Sequence, residues 1–355
     1  MTAKVGVIEG FFGHAWGWPA RKSCVDFLRE ADFDFYVYAP KAEPYLRRQW
    51  RESMPEETVA SLVDLHKQCR KSKVSLGIGL TPYEIYLNYG AEAKNALRGK
   101  VAEINDIGPE VLCVLFDDMR GDINGLASVQ ARVIDDIAVW TTASHVIVCP
   151  TYYSSDPRLT KEFGAPPQRY LRDLGRLVDP RIDFFWTGEK VISDGYSRNH
   201  LLDVAATIER KPFLWDNSGA NDGRVRTRHL YLDPAAVGWS CPTELVSGIA
   251  FNPMNEPHLS RIALLVYHEL LRHVPAGKTE SLASAACMRL CGAELGKRLY
   301  ADLKIFQQEG LDELDAKTRK TLLARYRKFG GNPFAADVIN WLEGHYVFDP
   351  QCLTA

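Results

Sequence analysis

The fold this sequence predicts is a (β/α)8 barrel, and three observations predict it. Eight short apolar runs recur over roughly residues 4 to 275, mostly separated by amphipathic stretches. The runs are continuous rather than alternating, as expected of strands buried on both faces of a parallel sheet. Polar, aromatic and glycine residues gather after the runs and not before them, which suits a barrel whose site lies at the carboxyl ends of its strands. An open doubly wound sheet is the rival fold. It would usually carry a glycine-rich phosphate turn, and Gly10 to Gly13 does not have the G-x-G-x-x-G spacing.

Taken in order, the first strand is Val5 to Ile8. It enters the loop Glu9 to Pro19, where Gly10, Gly13 and Gly17 are interleaved with Phe11, Phe12, Trp16 and Trp18. Glycines there permit close backbone approach; the aromatics either cover a ligand face or pack against the barrel rim. A helix follows from Pro19 to Ala31. The second strand, Phe35 to Tyr38, runs into a charged, aromatic loop, residues 39 to 51, that carries Lys41. A helix from Glu56 to Lys71 has one apolar face. The third strand, Val74 to Ile78, precedes a helix from Ala91 to Gly108. The fourth, Leu112 to Phe116, ends in Asp117-Asp118 and precedes a helix from Ser128 to Thr141. The fifth, Val146 to Cys149, ends in Pro150-Thr151-Tyr152-Tyr153, and the sixth, Ile182 to Trp186, in Thr187-Gly188. The seventh, Pro212 to Trp215, is followed by Asp216-Asn217 and Asn221-Asp222. The eighth, Val246 to Phe251, is followed by Asn252-Pro253-Met254-Asn255. A helix from Leu259 to His273 closes the cycle.

Beyond Gly277 the β-branched residues thin out, and Glu280 to Gln307, Leu311 to Phe329 and Pro333 to Glu343 all read as helices. The sequence therefore divides into a barrel, 1–275, and a helical appendage, 276–355, in which no catalytic cluster is expected.

Composition narrows the function. The 43 basic and 45 acidic residues nearly cancel, leaving −2, so no field is built for nucleic acid. No stretch approaches the roughly 18 apolar residues of a membrane span. Nothing resembles a signal core before Val5, and Cys113 and Cys149 fall inside apolar strands; both point to reduced cysteines and a cytoplasmic location. Cys287 and Cys291 are spaced like a metal pair, but no second pair completes a ligand set. His14 is the one histidine near a strand end, so neither a metal nor a cofactor is expected.

The focus of the chain is Asp117-Asp118. Carboxylates are rarely buried unless paired, and two of them closing a dry strand form either a pocket floor or an Asp-rich turn or helix cap. The strand-end residues decide between these. Gly6-Val7-Ile8-Glu9-Gly10-Phe11-Phe12-Gly13, Tyr38-Ala39-Pro40-Lys41, Leu115-Phe116-Asp117-Asp118, Cys149-Pro150-Thr151, Trp186-Thr187-Gly188, Trp215-Asp216-Asn217, Asn221-Asp222 and Asn252-Pro253, in this order, resemble glycoside hydrolase family 84, the β-N-acetylglucosaminidases. The chain departs from the family pattern at Ala42-Glu43, where Asp-Asp is common, and at Phe12, where Tyr is usual.

The resemblance implies a retaining, exo-acting hydrolase of terminal β-linked GlcNAc that works by substrate assistance. Asp117 would hold the acetamido N–H, and Asp118 would be general acid and then base. Gly10 and Lys41 would bind hydroxyls. Tyr153 would stabilise the acetamido oxygen, with Trp215 and Asn217 beside it, and Asp222 and Asn252 would grip the far side of the sugar. The implied partner is a GlcNAc-containing glycoside, glycan or glycoprotein.

The chemistry also stands from the residues alone. An N-acetyl sugar carries its own nucleophile, so the protein needs one carboxylate to polarise the acetamide and another to deliver a proton. Adjacent carboxylates can divide the work, since the charge on one raises the pKa of the other. Successive strand residues point to opposite faces, so both reach one pocket only if the chain leaves strand geometry near Asp117. A hydrolase of another N-acylated sugar or polysaccharide, a non-catalytic GlcNAc-binding barrel, and a metal-dependent hydrolase are the alternatives. The last would want histidines at strand ends.

Overall fold

Eight parallel strands close into a barrel in sequence order: β1 (Lys4–Glu9), β2 (Phe35–Tyr38), β3 (Ser75–Leu80), β4 (Val111–Leu115), β5 (His145–Cys149), β6 (Asp183–Trp186), β7 (Phe213–Asp216) and β8 (Gly248–Phe251). The structure is a computed structural model and describes residues 3–272 and 282–354. The seam closes where β1 pairs with β8, from Lys4 opposite Gly248 to Val7 opposite Phe251. All five residues of β4 are buried, as its unbroken apolar run requires.

The helices of the outer ring are α1 (Trp18–Glu30), α2 (Glu56–Ser72), α3 (Ala91–Ile107), α4 (Leu126–Trp140), α5 (Pro157–Phe163), α6 (Tyr170–Leu177), α7 (Arg198–Ile208) and α8 (Ser260–Leu271). Pro19 sits in the first turn of α1, where its missing N–H costs nothing. α5 to α7 were not expected from periodicity. α5 and α6 run for only seven and eight residues, too short for a 3.6-residue repeat to stand out. Local chemistry marks α5 instead, because the Asp156 carboxylate accepts from the Arg158 N–H at its start.

Among the described residues four α-helices follow the barrel: α9 (Leu282–Cys291), α10 (Ala293–Ala301), α11 (Ala316–Tyr326) and α12 (Pro333–Glu343). The single helix expected from Glu280 to Gln307 is broken, because Gly292 takes φ +79° between α9 and α10. The one expected from Leu311 to Phe329 is reduced to α11 with a 3-10 turn on either side; its start is fixed by Asp315, which accepts from the Thr318 N–H at 2.6 Å. The division expected at 275/276, and the helix ends expected at His273 and Glu280, lie outside the described residues. This region is tied to the barrel. Asp337 of α12 accepts from the backbone N–H groups of His258 and Leu259 at 2.7 and 3.1 Å, at the start of α8.

A column of rings fills the barrel beneath the site. Phe213 contacts Phe35 and Phe185 at centroid distances of 5.8 and 5.5 Å, and Phe185 meets Trp215 edge-on at 5.2 Å. Trp215, two residues after Phe213 on β7, therefore rests on packed aromatics. Asp216, the residue after Trp215, serves the structure: its carboxylate accepts from Tyr196 Oη, Trp239 Nε1 and Ser218 N.

Candidate active site

One cavity at the carboxyl mouth of the barrel is lined by Gly10, Lys41, Asp117, Asp118, Tyr153, Trp215, Asn217, Asp222 and Asn252, the nine residues singled out in the sequence. They come from the ends of six strands, so closure of the barrel assembles them.

The two carboxylates meet because the backbone leaves strand geometry. Phe116 N still donates to Cys149 O, continuing the β4–β5 ladder by one residue. Asp118 then adopts φ +56°, in the left-handed region, and both side chains face Lys41. Lys41 Nζ donates to Asp117 Oδ2 and lies 3.5 Å from Asp118 Oδ2. All three are buried. Asp117 Oδ1 is buried too and has no hydrogen-bond partner. A buried acceptor left this way costs about 1–3 kcal/mol, a cost that a donor on a ligand would offset.

The surroundings set the protonation states. Burial pushes the Asp118 carboxyl above the usual carboxylate range; Lys41 opposes the rise and the Asp117 charge adds to it. Burial alone would lower the Lys41 ammonium, but the Asp117 and Asp118 charges outweigh it and raise it overall. Tyr153 Oη donates to Asp118 Oδ1 at 3.3 Å, and burial, followed by the fields of Asp118 and Asp117, holds its hydroxyl protonated.

The opposite wall is a hydrogen-bonded frame. Asn252 Oδ1 accepts from Gly10 N at 3.1 Å, while Asn252 Nδ2 donates to Asn217 Oδ1 at 2.9 Å. Asn217 Oδ1 also accepts from Trp215 Nε1 at 2.8 Å, which fixes the indole. A Cβ at position 10 would lie 2.3 Å from Trp215 Cζ2, so only glycine fits against that ring. Asp222 Oδ2 accepts from Phe12 N at 2.7 Å and draws the glycine-aromatic loop over the mouth. Burial raises the Asp222 carboxyl, with the Phe12 N–H pulling against it.

The aromatic loop divides its labour. Phe12 alone lines the cavity; Phe11 and Trp16 are buried in the core, and Trp18 stacks on Tyr38 at 5.5 Å. Glu43, at a departure from the family pattern, accepts from Tyr38 Oη at 2.9 Å and does not reach the cavity. His14 meets Tyr346 edge-on, away from the carboxylates. Among the described residues no group of His, Cys, Asp or Glu is arranged to hold a metal ion, and Cys287 and Cys291 are buried on α9. No helix among the described residues is long and apolar enough to cross a membrane.

Sequence reasoning did not single out Cys149, Thr187, Val191, Ile192 or Ala220 as lining the cavity, nor Cys352 and Thr354. The first five lie at or after the ends of β5, β6 and β7 and were within reach of the barrel rule. The last two come from the region in which no catalytic cluster was expected, and nothing local in the sequence links them to a site hundreds of residues away. The segment after α12 nonetheless reaches the cavity.

Comparison with known proteins gives the fold and the family. Over 271 residues the chain is 27% identical to protein O-GlcNAcase of Rattus norvegicus and to that of Mus musculus, covering 73% of this chain and 29% of each relative. The chain thus spans less than a third of the length of those relatives. A mutant O-GlcNAc hydrolase of Thermobaculum terrenum has the same fold, with a TM-score of 0.74 at 24% identity, covering 95% of this chain and 80% of that one. The family profile described as β-N-acetylglucosaminidase, NAGidase, matches residues 5–307, from β1 past β8 and into the helices beyond, and the chain belongs to that family.

Proposed function

We propose that the protein is a retaining exo-β-N-acetylglucosaminidase that removes terminal β-linked GlcNAc from a glycoside, glycan or glycoprotein by substrate assistance. The observation that carries this reading is the buried, unpartnered Asp117 Oδ1 beside a carboxyl whose pKa is raised. The first is an acceptor waiting for an acetamido N–H. The second holds a proton for a leaving oxygen.

In this reading Lys41 holds the Asp117 carboxylate in place, and Asp117 orients the acetamide so that its oxygen attacks the anomeric carbon. Asp118 gives its proton to the departing oxygen, and Tyr153 donates to the acetamido oxygen. An oxazoline forms. Asp118, now a carboxylate, takes a proton from water as that water opens the ring, so the anomeric configuration is retained. Trp215, on its column of rings, is a rigid wall for the acetamido methyl. Asp222, Asn252, Lys41 and the Gly10 carbonyl receive the hydroxyls. All eight cysteines are unpaired, which supports our proposal of a reducing, cytoplasmic setting.

The test is a series of aryl glycosides whose acetamido group carries none, one, two or three fluorines. Fluorine withdraws charge from the nucleophilic oxygen, so kcat/KM should fall steadily along the series. A flat dependence, with glycosidic cleavage rate-limiting, would replace substrate assistance by an enzymic nucleophile or direct attack by water.

A further inference from the structure

The segment that follows α12 crosses the mouth of the barrel and enters the cavity. Tyr346 packs edge-on against His14 at 5.9 Å. Phe348 lies under the Arg224 guanidinium at 5.4 Å. Gln351 Oε1 accepts from Arg48 Nε at 3.2 Å. The chain then descends. The Cys352 thiol lies 4.0 Å from Asp222 Oδ2. Leu353, half exposed, borders an adjoining groove of about 300 Å³ that Tyr83, Met119 and Phe163 also line, and Asp118 lines both the groove and the cavity. The Thr354 carbonyl accepts from Arg158 Nη1, and its hydroxyl interacts with Tyr153. Cys352 and Thr354 are 8% and 6% exposed, so both are held in the cavity.

The space left is small. The cavity measures about 50 Å³ with the segment in place, room for a few waters, whereas ligand pockets run to about 300–1,000 Å³. The segment engages Asp222 on one side and Tyr153 on the other, the two ends between which a pyranose would lie, and its Leu353 borders the groove that Asp118 also lines. A sugar ring and this segment cannot occupy the cavity together.

We propose that the catalytic cavity is a binding site for this chain's own segment 346–354, which acts as a tethered competitor that GlcNAc substrates must displace. The competition rests on the sugar-binding reading above; the docking does not. Only the undocked fraction of molecules is then open to substrate, and apparent affinity falls in proportion to that fraction.

The experiment uses the full chain, with Arg158→Ala and Thr354→Ala as variants. Arg158 is exposed on α5, so its loss releases the Thr354 carbonyl without disturbing the core. Iodoacetamide alkylation, read by peptide mass mapping, reports Cys352 directly, with the partly exposed Cys241 as an internal reference. Docking predicts slow labelling of Cys352 in the wild type, about tenfold faster labelling in Arg158→Ala, and faster labelling when free GlcNAc is added. Hydrolysis of 4-methylumbelliferyl β-N-acetylglucosaminide should show KM lowered about tenfold in Arg158→Ala, matching the labelling, and lowered in Thr354→Ala, with kcat little changed. Rapid labelling of wild-type Cys352, protection by GlcNAc, or an unchanged or raised KM would overturn the proposal. If no GlcNAc glycoside is cleaved while Cys352 is protected in the wild type and released in Arg158→Ala, the docking is supported and the assigned activity is what fails.

Discussion

Asp118 follows Asp117 with its backbone at φ +56°, and this one left-handed residue brings two neighbouring carboxylates onto the same lysine, Lys41. A strand would have sent them to opposite faces. A non-glycine residue held in this region costs of order 1–3 kcal/mol, and the surrounding barrel holds it there.

The first prediction separates the two carboxylates. Asp118→Ala should lose about 10²–10⁴-fold in kcat/KM on alkyl or sugar leaving groups, the usual contribution of a general acid. On a dinitrophenyl glycoside, whose oxygen departs without a proton, the loss should be far smaller. Asp117→Ala should be rescued poorly by that leaving group, because its task is done at the acetamide. Steady-state kinetics on both substrates decide; equal rescue of both variants would reject the division of roles.

The second concerns pH. The general acid must be protonated, so activity falls as pH rises through the Asp118 pKa. The Asp117 charge raises that pKa, after burial and against Lys41. Asp117→Asn removes the charge and leaves Lys41 in place, so the basic limb of its residual kcat/KM profile should move to lower pH. A shift to higher pH would contradict the coupling.

The third concerns ligand grip. Asp222→Ala removes an acceptor for sugar hydroxyls and releases Phe12 N. Binding of a GlcNAc-derived inhibitor, titrated calorimetrically, should weaken by about 2–5 kcal/mol. Asp222→Asn, which keeps an oxygen for the Phe12 N–H, should lose less. Equal affinities in wild type and a folded Asp222→Ala would refute the role.

The fourth is a stability prediction. Glu256 is fully buried, and its Oε2 accepts from Asn221 Nδ2, next to Asp222, at 2.8 Å while its Oε1 has no partner. Burial raises its pKa from 4.5 to about 8. A carboxyl whose pKa is higher in the folded state contributes stability that is complete below its unfolded pKa and lost as pH rises through the folded one. The wild type should therefore lose on the order of a few kcal/mol between about pH 4.5 and about pH 8. Glu256→Gln should lose less over that interval, as Tm measured across it would show.

Much of this molecule was legible in its sequence, for identifiable reasons. Runs such as Leu112 to Phe116 read as strands because burial on both faces leaves no room for polar residues. Asp117-Asp118 read as a candidate site because two carboxylates close a dry strand where a barrel keeps its functional groups, whereas Asp222 and Asn252 were named through the family resemblance of the strand-end residues. The legible signals were therefore local ones, followed a rule of the fold, or rested on that resemblance. The break at Gly292 was available from the residue itself but was masked by continuous leucines and alanines on either side. The buried Glu256 network was not legible, since its energetics depend on what surrounds a carboxyl rather than on its neighbours in sequence. The contacts of Cys352 and Thr354 were the least legible, because they pair residues whose proximity exists only in the closed fold.

The bond from Gly10 N to Asn252 Oδ1 spans 242 positions and lies just above the β1–β8 seam. This places the site at the end of the folding reaction. A chain emerging from the ribosome exposes Asp117 and Asp118 long before β8 exists, yet until β8 arrives there is no Asn252 to hold the Gly10 loop and no closed ring to aim the side chains. Contacts this distant in sequence are closed late, after most loop entropy has been lost. Competence would therefore switch on with ring closure rather than accumulate strand by strand. Nascent chains arrested before residue 248 should show no retention on an immobilised GlcNAc-derived inhibitor, although they carry both aspartates.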